Sequence, residues 1–322
     1  MAQNILFFQD RQLTNGGAFK KSIINIPKAW AAVNRKNAPV TDSKGYLQTY
    51  FCKVEVVGVN ALSYLYTAPE NWVLKNAVRK WHLARQAQRA ETFDGRAGES
   101  TYGKTMRPML HSGHQTTNNA GDFYELEPVR QAGTMAGGAW DFTKMAHTVA
   151  NLNVNATGDV QGEELSDDYF LTLTGSSVLE SGHSTGGHNK YTHVSMMDSY
   201  LRARRNFGRD GTDDVQNEID DTPSPLVELM GDSLSSRNQA VILAAEQNFE
   251  PPYAQQNSDG TPNSDALDRY YQGVLRTTST YGRDSAVVRV PGGLLEVWSQ
   301  GQGATPLIQW NIEVLGVGKA QG

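Results

Sequence analysis

The stretch Ala286–Val317, AVVRVPGGLLEVWSQGQGATPLIQWNIEVLGV, decides the predicted fold of this chain. It holds three apolar runs, which are separated first by Pro-Gly-Gly and then by a Gly-rich segment. In the last run four apolar residues alternate with polar ones: Ile308, Trp310, Ile312 and Val314. A period of two places these four side chains on one face of a β-strand. The stretch therefore predicts an antiparallel meander that closes a sheet with one face in a core.

Earlier parts of the chain show similar strand patterns. Aromatic and β-branched residues are frequent in Phe19–Ile26, Tyr46–Val59 and Ser63–Thr67, as is typical of strands. A strand running into a short helix is predicted over Tyr191–Arg205. Together these patterns predict an all-β protein, an antiparallel β-sandwich with long loops and a few inserted helices.

One long helix interrupts the strand patterns. It is predicted from Trp72 to about Glu91, and Asn71 is its expected N-cap. An apolar stripe follows three- and four-residue spacing along Leu74, Ala77, Val78, Trp81 and Ala84. This spacing predicts a helix that packs on the sheet with one face.

Composition limits the class of protein. The chain has 322 residues, of which 39% are hydrophobic and 20% charged, so a globular fold with a buried core is expected. Cys52 is the single cysteine, which excludes an intrachain disulfide and cysteine-ligated zinc. No apolar run approaches the length of a membrane span, and the first residues lack the pattern of a secretory signal.

Charge is unevenly distributed along the chain. Residues 1–90 carry 13 Lys and Arg against 4 Asp and Glu, whereas residues 91–322 carry 16 against 30. The basic part is either a solvated face or a contact surface for nucleic acid or an acidic neighbouring subunit. The candidate contact residues are Lys20, Lys21, Lys28, Arg35, Lys36, Lys75, Arg79, Lys80, Arg85 and Arg89.

Two motifs suggest chemistry, and their contexts argue against it. Gly182–Gly186 matches the G-x-S-x-G pattern of serine hydrolases around Ser184, but no parallel strand and helix flank it. Histidines cluster at 111 and 114 and at 183, 188 and 193, with Asp198 as an available carboxylate. Their spacing matches no known zinc pattern, so loop histidines are the favoured interpretation. We therefore predict no catalytic residue, no metal site and no cofactor.

Three passages resemble one family, and a fourth resembles a second group. They are Ala68–Trp72 (APENW), Tyr102–Pro108 (YGKTMRP), Val290–Leu295 (VPGGLL) and Ile312–Val317 (IEVLGV). The first three resemble jelly-roll capsid proteins of small icosahedral viruses, particularly circular single-stranded DNA viruses. The last also resembles the closing strand of capsid proteins from membrane-containing tailless phages. Many such proteins begin with a dense basic arm, which the scattered lysines and arginines here do not form.

The resemblance implies a non-enzymatic structural protein of the virion. It would self-assemble in many copies into an icosahedral capsid, with viral nucleic acid on the inner face and minor capsid proteins as further partners. One jelly-roll domain with long insertions would span residues 1–322; the alternative is two jelly rolls divided near residues 150–165.

Two other functions remain open from the residues alone. A carbohydrate- or ligand-binding β-sandwich could use exposed Tyr, Trp and Asn side chains to stack on a sugar. A serine hydrolase acting through Ser184 is the third option.

Overall fold

The computed structural model describes residues 4–10, 19–92, 104–114, 123–130, 133–134, 140–147, 167–179, 191–206, 269–278, 282–301 and 307–320, and the statements below concern these residues. The strands are β1 (Ile5–Asp10), β2 (Lys20–Asn25), β3 (Gln48–Gly58), β4 (Leu62–Thr67), β5 (Tyr124–Glu125), β6 (Val129–Arg130), β7 (Gly133–Thr134), β8 (Lys144–His147), β9 (Asp167–Thr172), β10 (Val178–Leu179), β11 (Tyr191–Ser195), β12 (Tyr270–Arg276), β13 (Gly282–Pro291), β14 (Leu294–Gln300) and β15 (Ile308–Lys319). The helices are α1 (Ile26–Asn34), α2 (Trp72–Thr92) and α3 (Met196–Asn206).

Eight of these strands form a jelly roll. One sheet has the order β1-β15-β3-β13, and the other has the order β12-β4-β14-β2 with the short β5 added at its end. When only these eight strands are numbered, from 1 to 8 along the chain, the two sheets have the orders 1-8-3-6 and 5-4-7-2. This order is jelly-roll connectivity. All ladders among the eight are antiparallel. The predicted all-β, antiparallel sandwich is confirmed.

The predicted carboxyl-terminal meander is wrong, although its strands exist. β13 and β15 both pair with β3, whereas β14 lies in the opposite sheet between β4 and β2. The chain changes sheets at Gly292 and Gly293, whose φ angles of +68° and +70° are strained for residues with a Cβ. The alternation itself is confirmed, because Trp310 and Ile312 are fully buried and Asn311 is partly exposed.

The space between the two sheets is filled by apolar side chains. On β3, Tyr50, Cys52, Val54 and Val56 point inward at every second position and are fully buried. They pack with apolar side chains of the other strands, including Phe8, Ile24, Leu65, Val290, Val297 and Trp310. Full burial of one large aliphatic side chain is worth about 1.5–3 kcal/mol. Burial also raises the pKa of the Cys52 thiol to about 12, so this cysteine serves as a core residue.

Residues 68–269, between β4 and β12, form a long insertion. Its described part holds a separate four-stranded sheet, β10-β11-β9-β8, the short strands β5, β6 and β7, and the helices α2 and α3. Helices α2 and α3 contact each other through Trp81 Nε1, which donates to Ser199 Oγ at 3.0 Å. Their shared core reaches the jelly roll at Ile23 and Leu294. The insertion therefore packs on the outer face of the β12-β4-β14-β2 sheet.

Sequence patterns predicted the local elements of this insertion well. Asn71 Oδ1 accepts the backbone N–H of Leu74 at 2.9 Å, which confirms the predicted N-cap. The strand-to-helix pattern over residues 191–205 corresponds to β11 followed by α3. The alternative domain division near residues 150–165 falls outside the described residues, so it stays untested. None of the helices in the described ranges is long and apolar enough to cross a membrane.

Substitution of Gly293 by Ala should destabilise the jelly roll. A Cβ there would lie 2.4 Å from Pro27 Cδ, and the backbone has a positive φ. We expect the free energy of unfolding to fall by about 2 kcal/mol or more, measured by urea denaturation. Gly316→Ala is the matched control, since its Cβ meets nothing within 4 Å. Equal unfolding midpoints for the two variants would contradict the role assigned to Gly293 where the chain crosses between the sheets.

Candidate functional site

The predicted basic residues of β2 and of the first turn of α1 have partners within the chain. Lys20 Nζ lies 2.6 Å from Asp10 Oδ1, and Lys28 Nζ lies 2.7 Å from Glu125 Oε1. Lys21 Nζ lies 4.8 Å from the ring centroid of Trp298. The ammonium groups of Lys20 and Lys28 therefore stabilise the fold directly through ion pairs.

The remaining basic residues lie on or near the helices. Arg35 and Lys36 are exposed at the end of α1. Along α2, Arg79 lies over the Tyr46 ring, Lys80 lies over the Tyr200 ring, and Arg85 donates to Thr143 Oγ1. Lys75 Nζ is buried with no hydrogen-bond partner among the described residues. The side chain of Arg89 lies outside the described residues.

Two of the predicted loop histidines, His111 and His114, lie in a turn and are buried. The backbone N–H of His114 donates to the carbonyl of His111 at 3.0 Å, which closes the turn. Each imidazole accepts a backbone N–H at Nδ1, from Gly113 at 3.0 Å for His111 and from Leu110 at 3.2 Å for His114. Because Nδ1 accepts in both rings, the proton of each neutral ring is on Nε2.

Each Nε2 faces a buried glutamate on the outer face of the jelly-roll sheet. His114 Nε2 lies 2.9 Å from Glu125 Oε2, and His111 Nε2 lies 3.3 Å from Glu296 Oε2. We call these four residues the histidine–glutamate lock. The inserted turn supplies both histidines, β14 supplies Glu296, and β5, paired with β2, supplies Glu125. The His111–Glu296 contact therefore joins the inserted turn to the jelly roll directly, whereas the His114–Glu125 contact joins it to β5, an inserted strand that pairs with β2.

Each glutamate of the lock also has a cationic partner. Lys28 pairs with Glu125, and Arg269 Nη1 lies 2.8 Å from Glu296 Oε1. Trp298 Nε1 donates to the same oxygen of Glu296. Each buried carboxylate thus has a cation within 3 Å, although Glu296 Oε2 and His111 Nε2, 3.3 Å apart, do not reach hydrogen-bond geometry.

The electrostatics of the lock follow from burial and these partners. Burial alone would raise the pKa of Glu125, but the His114 hydrogen bond and the Lys28 charge outweigh it and lower that pKa. Burial would also raise the pKa of Glu296, but His111 and the Arg269 charge outweigh it and lower that pKa. Burial lowers the pKa of His111, although Glu296 acts in the opposite direction. At neutral pH the carboxylates are therefore ionised and His111 is neutral.

This arrangement favours a structural role over catalysis or metal binding. In the lock both nitrogens of each imidazole face a group of the protein, so neither ring presents a nitrogen to a substrate. Within the described ranges, no group of three His, Cys, Asp or Glu side chains is placed to hold a metal ion.

The other predicted motif residues are not brought into a site that the structure describes. Ser184, His183 and His188 lie outside the described residues. The His193 ring stacks on Phe170 with centroids 5.7 Å apart. Asp198 Oδ2 accepts the N–H and hydroxyl of Ser177.

Aromatic side chains cover the outer face of the same sheet beside the lock. Tyr66 lies across from both Glu296 and Tyr271, and Trp298 lies across from both Tyr64 and Lys21. The Tyr66 and Trp298 ring centroids are 5.1 Å apart, and those of Tyr66 and Tyr271 are 5.8 Å apart. We call Tyr64, Tyr66, Tyr271 and Trp298 the tyrosine face.

Sequence reasoning did not single out Glu125, Glu296 or the tyrosine face. One signal for Glu296 was present, because it is the single charged residue of the apolar run Leu294–Trp298. A charge within such a run indicates either an exposed face or a buried partner. No local pattern identified that partner, which comes from a turn more than 180 residues earlier in the chain.

No family model, curated protein or solved structure matches this chain. We therefore infer function from the fold and from the contacts described above.

Acidification should loosen the lock. Unfolded His111 binds a proton near its ordinary pKa of 6.5, whereas folded His111 has a lowered pKa. Stability contributed by His111 is thus present above pH 6.5 and lost as the pH falls below it. Protonation of Nδ1 also removes the acceptor of the Gly113 amide. After correction for the intrinsic exchange rate, we expect the Gly113 amide to exchange faster at pH 5 than at pH 7. The His111→Gln variant should show a smaller difference between the two pH values. Equal protection at both pH values in the wild type would contradict the prediction.

Loss of one carboxylate should destabilise the protein strongly. Glu125→Gln leaves the Lys28 ammonium, whose side chain is only 14% exposed, without its ion-pair partner. We expect the free energy of unfolding to fall by about 3 kcal/mol, measured by chemical denaturation at pH 7. The exposed Glu127 provides the control, since Glu127→Gln should change stability by less than about 0.5 kcal/mol. Similar losses of unfolding free energy in both variants would contradict the stabilising role assigned to the Lys28–Glu125 ion pair.

Proposed function

We propose that this protein is a structural subunit that assembles with copies of itself into an icosahedral virus capsid enclosing the genome. The observation that carries the proposal is the jelly-roll order of its eight sandwich strands. Jelly rolls occur in viral capsid proteins, lectins and cupins. The packed apolar interior supports the capsid proposal over a cupin-like or lectin-like cavity between the sheets.

Exposed apolar side chains support contact between subunits. On the outer face of the β1-β15-β3-β13 sheet, Val287 is 67% exposed, and Phe7 and Ile5 are also exposed. Leu315, at the irregularity in β15, is 54% exposed. Several exposed apolar side chains on one surface indicate an interaction site more than isolated ones do.

Open sheet edges provide a second kind of contact. Among the described strands, β12 pairs only with β4, and β13 pairs only with β3. These two edges lie on the same side of the sandwich, and β12 and β13 contact each other. Edges with unpaired backbone groups associate with other chains unless they are covered. Neighbouring subunits would cover these edges in a shell.

A carbohydrate- or ligand-binding β-sandwich is the second candidate function. The tyrosine face favours it, because aromatic rings with hydroxyl groups can stack on a sugar and hydrogen-bond to it. The same face has cations nearby, which a neutral sugar would not use. A glycan array with no binding would exclude the carbohydrate version.

Assembly can be tested with the purified chain. We expect shells or capsomers by negative-stain microscopy and a matching fast boundary in sedimentation velocity. Val287→Glu should reduce assembly at least about tenfold by placing a charge at an apolar contact, whereas Ser285→Glu adds the same charge at an exposed polar position of the same strand and should assemble. A wild-type protein that stays monomeric at high concentration, over a wide range of salt and pH, would contradict the proposal.

A further inference from the structure

We propose that the tyrosine face is a binding surface for single-stranded nucleic acid, with bases stacking on its rings and phosphates contacting the cations at its borders. This inference deepens the proposed function, on which it rests, by assigning the genome contact to the tyrosine face, which uses Lys21 alone of the predicted basic residues.

The rings form a compact group on adjacent strands. Tyr64 and Tyr271 have ring centroids 6.4 Å apart, and Phe19 extends the group with its ring centroid 5.3 Å from that of Tyr64. The interplanar angles in these contacts and in those of Tyr66 lie between 49° and 59°. Tilted neighbouring rings leave part of each face uncovered, so bases can stack at several points. Stacking of this kind tolerates any base sequence.

The face is accessible from one side of the sheet. Tyr271 on the edge strand β12 is 48% exposed and its neighbour on the same face, Val274, is 45% exposed. Tyr64, Tyr66 and Trp298 are each partly exposed. A flexible single strand could therefore enter across β12 and lie over β4 towards β14.

Charge makes a polyanion a better occupant than a neutral sugar. Lys21 lies next to Trp298 in the cross-strand row, and Arg269 lies over the same ring at 5.4 Å. Arg276 is exposed on β12 at the opposite border. On this face the carboxylate of Glu296 is fully buried and balanced by Arg269. Asp284 of β13 accepts the backbone N–H of Arg276 and is the acidic group at that border. With Arg269 and Glu296 balancing each other, Lys21 and Arg276 exceed the accessible carboxylate of Asp284 by one charge.

Fluorescence anisotropy with a labelled 20-nucleotide oligothymidine tests the proposal on the full chain. We expect binding that weakens with salt and exceeds binding to a duplex of the same length. Tyr271→Leu should weaken binding about fivefold or more, since one ring–base stack is lost. Tyr271→Phe keeps the ring and should bind like the wild type. Lys21→Gln should lower the slope of log affinity against log salt by about 0.7.

Tyr270→Leu is the matched control. This neighbouring tyrosine is 57% exposed, and strand alternation directs it to the other face from Tyr271. Its replacement should leave binding unchanged. Equal effects of Tyr270→Leu and Tyr271→Leu would overturn the proposal, as would equal affinity for duplex and single strand. So would a neutral oligosaccharide that binds this face while the oligothymidine does not.

Microscopy of the same variants separates this inference from the assembly proposal. Tyr271→Leu protein that forms shells but binds the oligothymidine weakly supports the proposal. Wild-type shells without any oligothymidine binding overturn this inference and leave assembly standing. Binding by a wild-type protein that never assembles overturns the proposed function alone.

Discussion

Two carboxylates buried outside the sandwich impose the constraint on which the arrangement of this protein depends. Glu296 and Glu125 flank Ile23 in one cross-strand row of the jelly-roll sheet. An ionised carboxylate removed from water costs several kcal/mol unless cations and hydrogen-bond donors face it. His114 and His111, both from one inserted turn, place their Nε2 atoms 2.9 Å and 3.3 Å from these carboxylates. The His111–Glu296 contact and the pairing of β5 with β2 therefore give the inserted segment a defined place on the sandwich.

The two faces of the same sheet consequently have different roles. Its inner face, with Ile24, Leu65 and Val297, completes the sandwich core. Its outer face is divided, since Ile23 and Leu294 are covered by the insertion, while Tyr271 remains open to solvent. An assembly subunit needs both properties, a rigid interior and an outer surface with distinct contact areas. The jelly roll supplies the first, and the insertion together with the open strand edges supplies the second.

Local patterns predicted single elements reliably because their causes are local. The period-two alternation of β15, the β-branched run of β3 and the Asn71 cap of α2 each follow from neighbouring residues. Strand pairing did not follow in the same way. The carboxyl-terminal strands looked like a meander, because consecutive strands usually pair. The positive φ angles of Gly292 and Gly293 allow the chain to cross to the other sheet instead.

The candidate site was less predictable than the fold. His111 and His114 were noticed as a pair, but their role depends on carboxylates far away in sequence. The tyrosine face combines Tyr64 with Trp298 and Tyr271, which are more than 200 residues later in the chain. The sequence by itself determined the strand and helix content and which side chains are apolar on one face, since these depend on spacing over a few residues. Only the tertiary structure decided which strands pair and which charges meet, because distant residues become neighbours only when the sheets close.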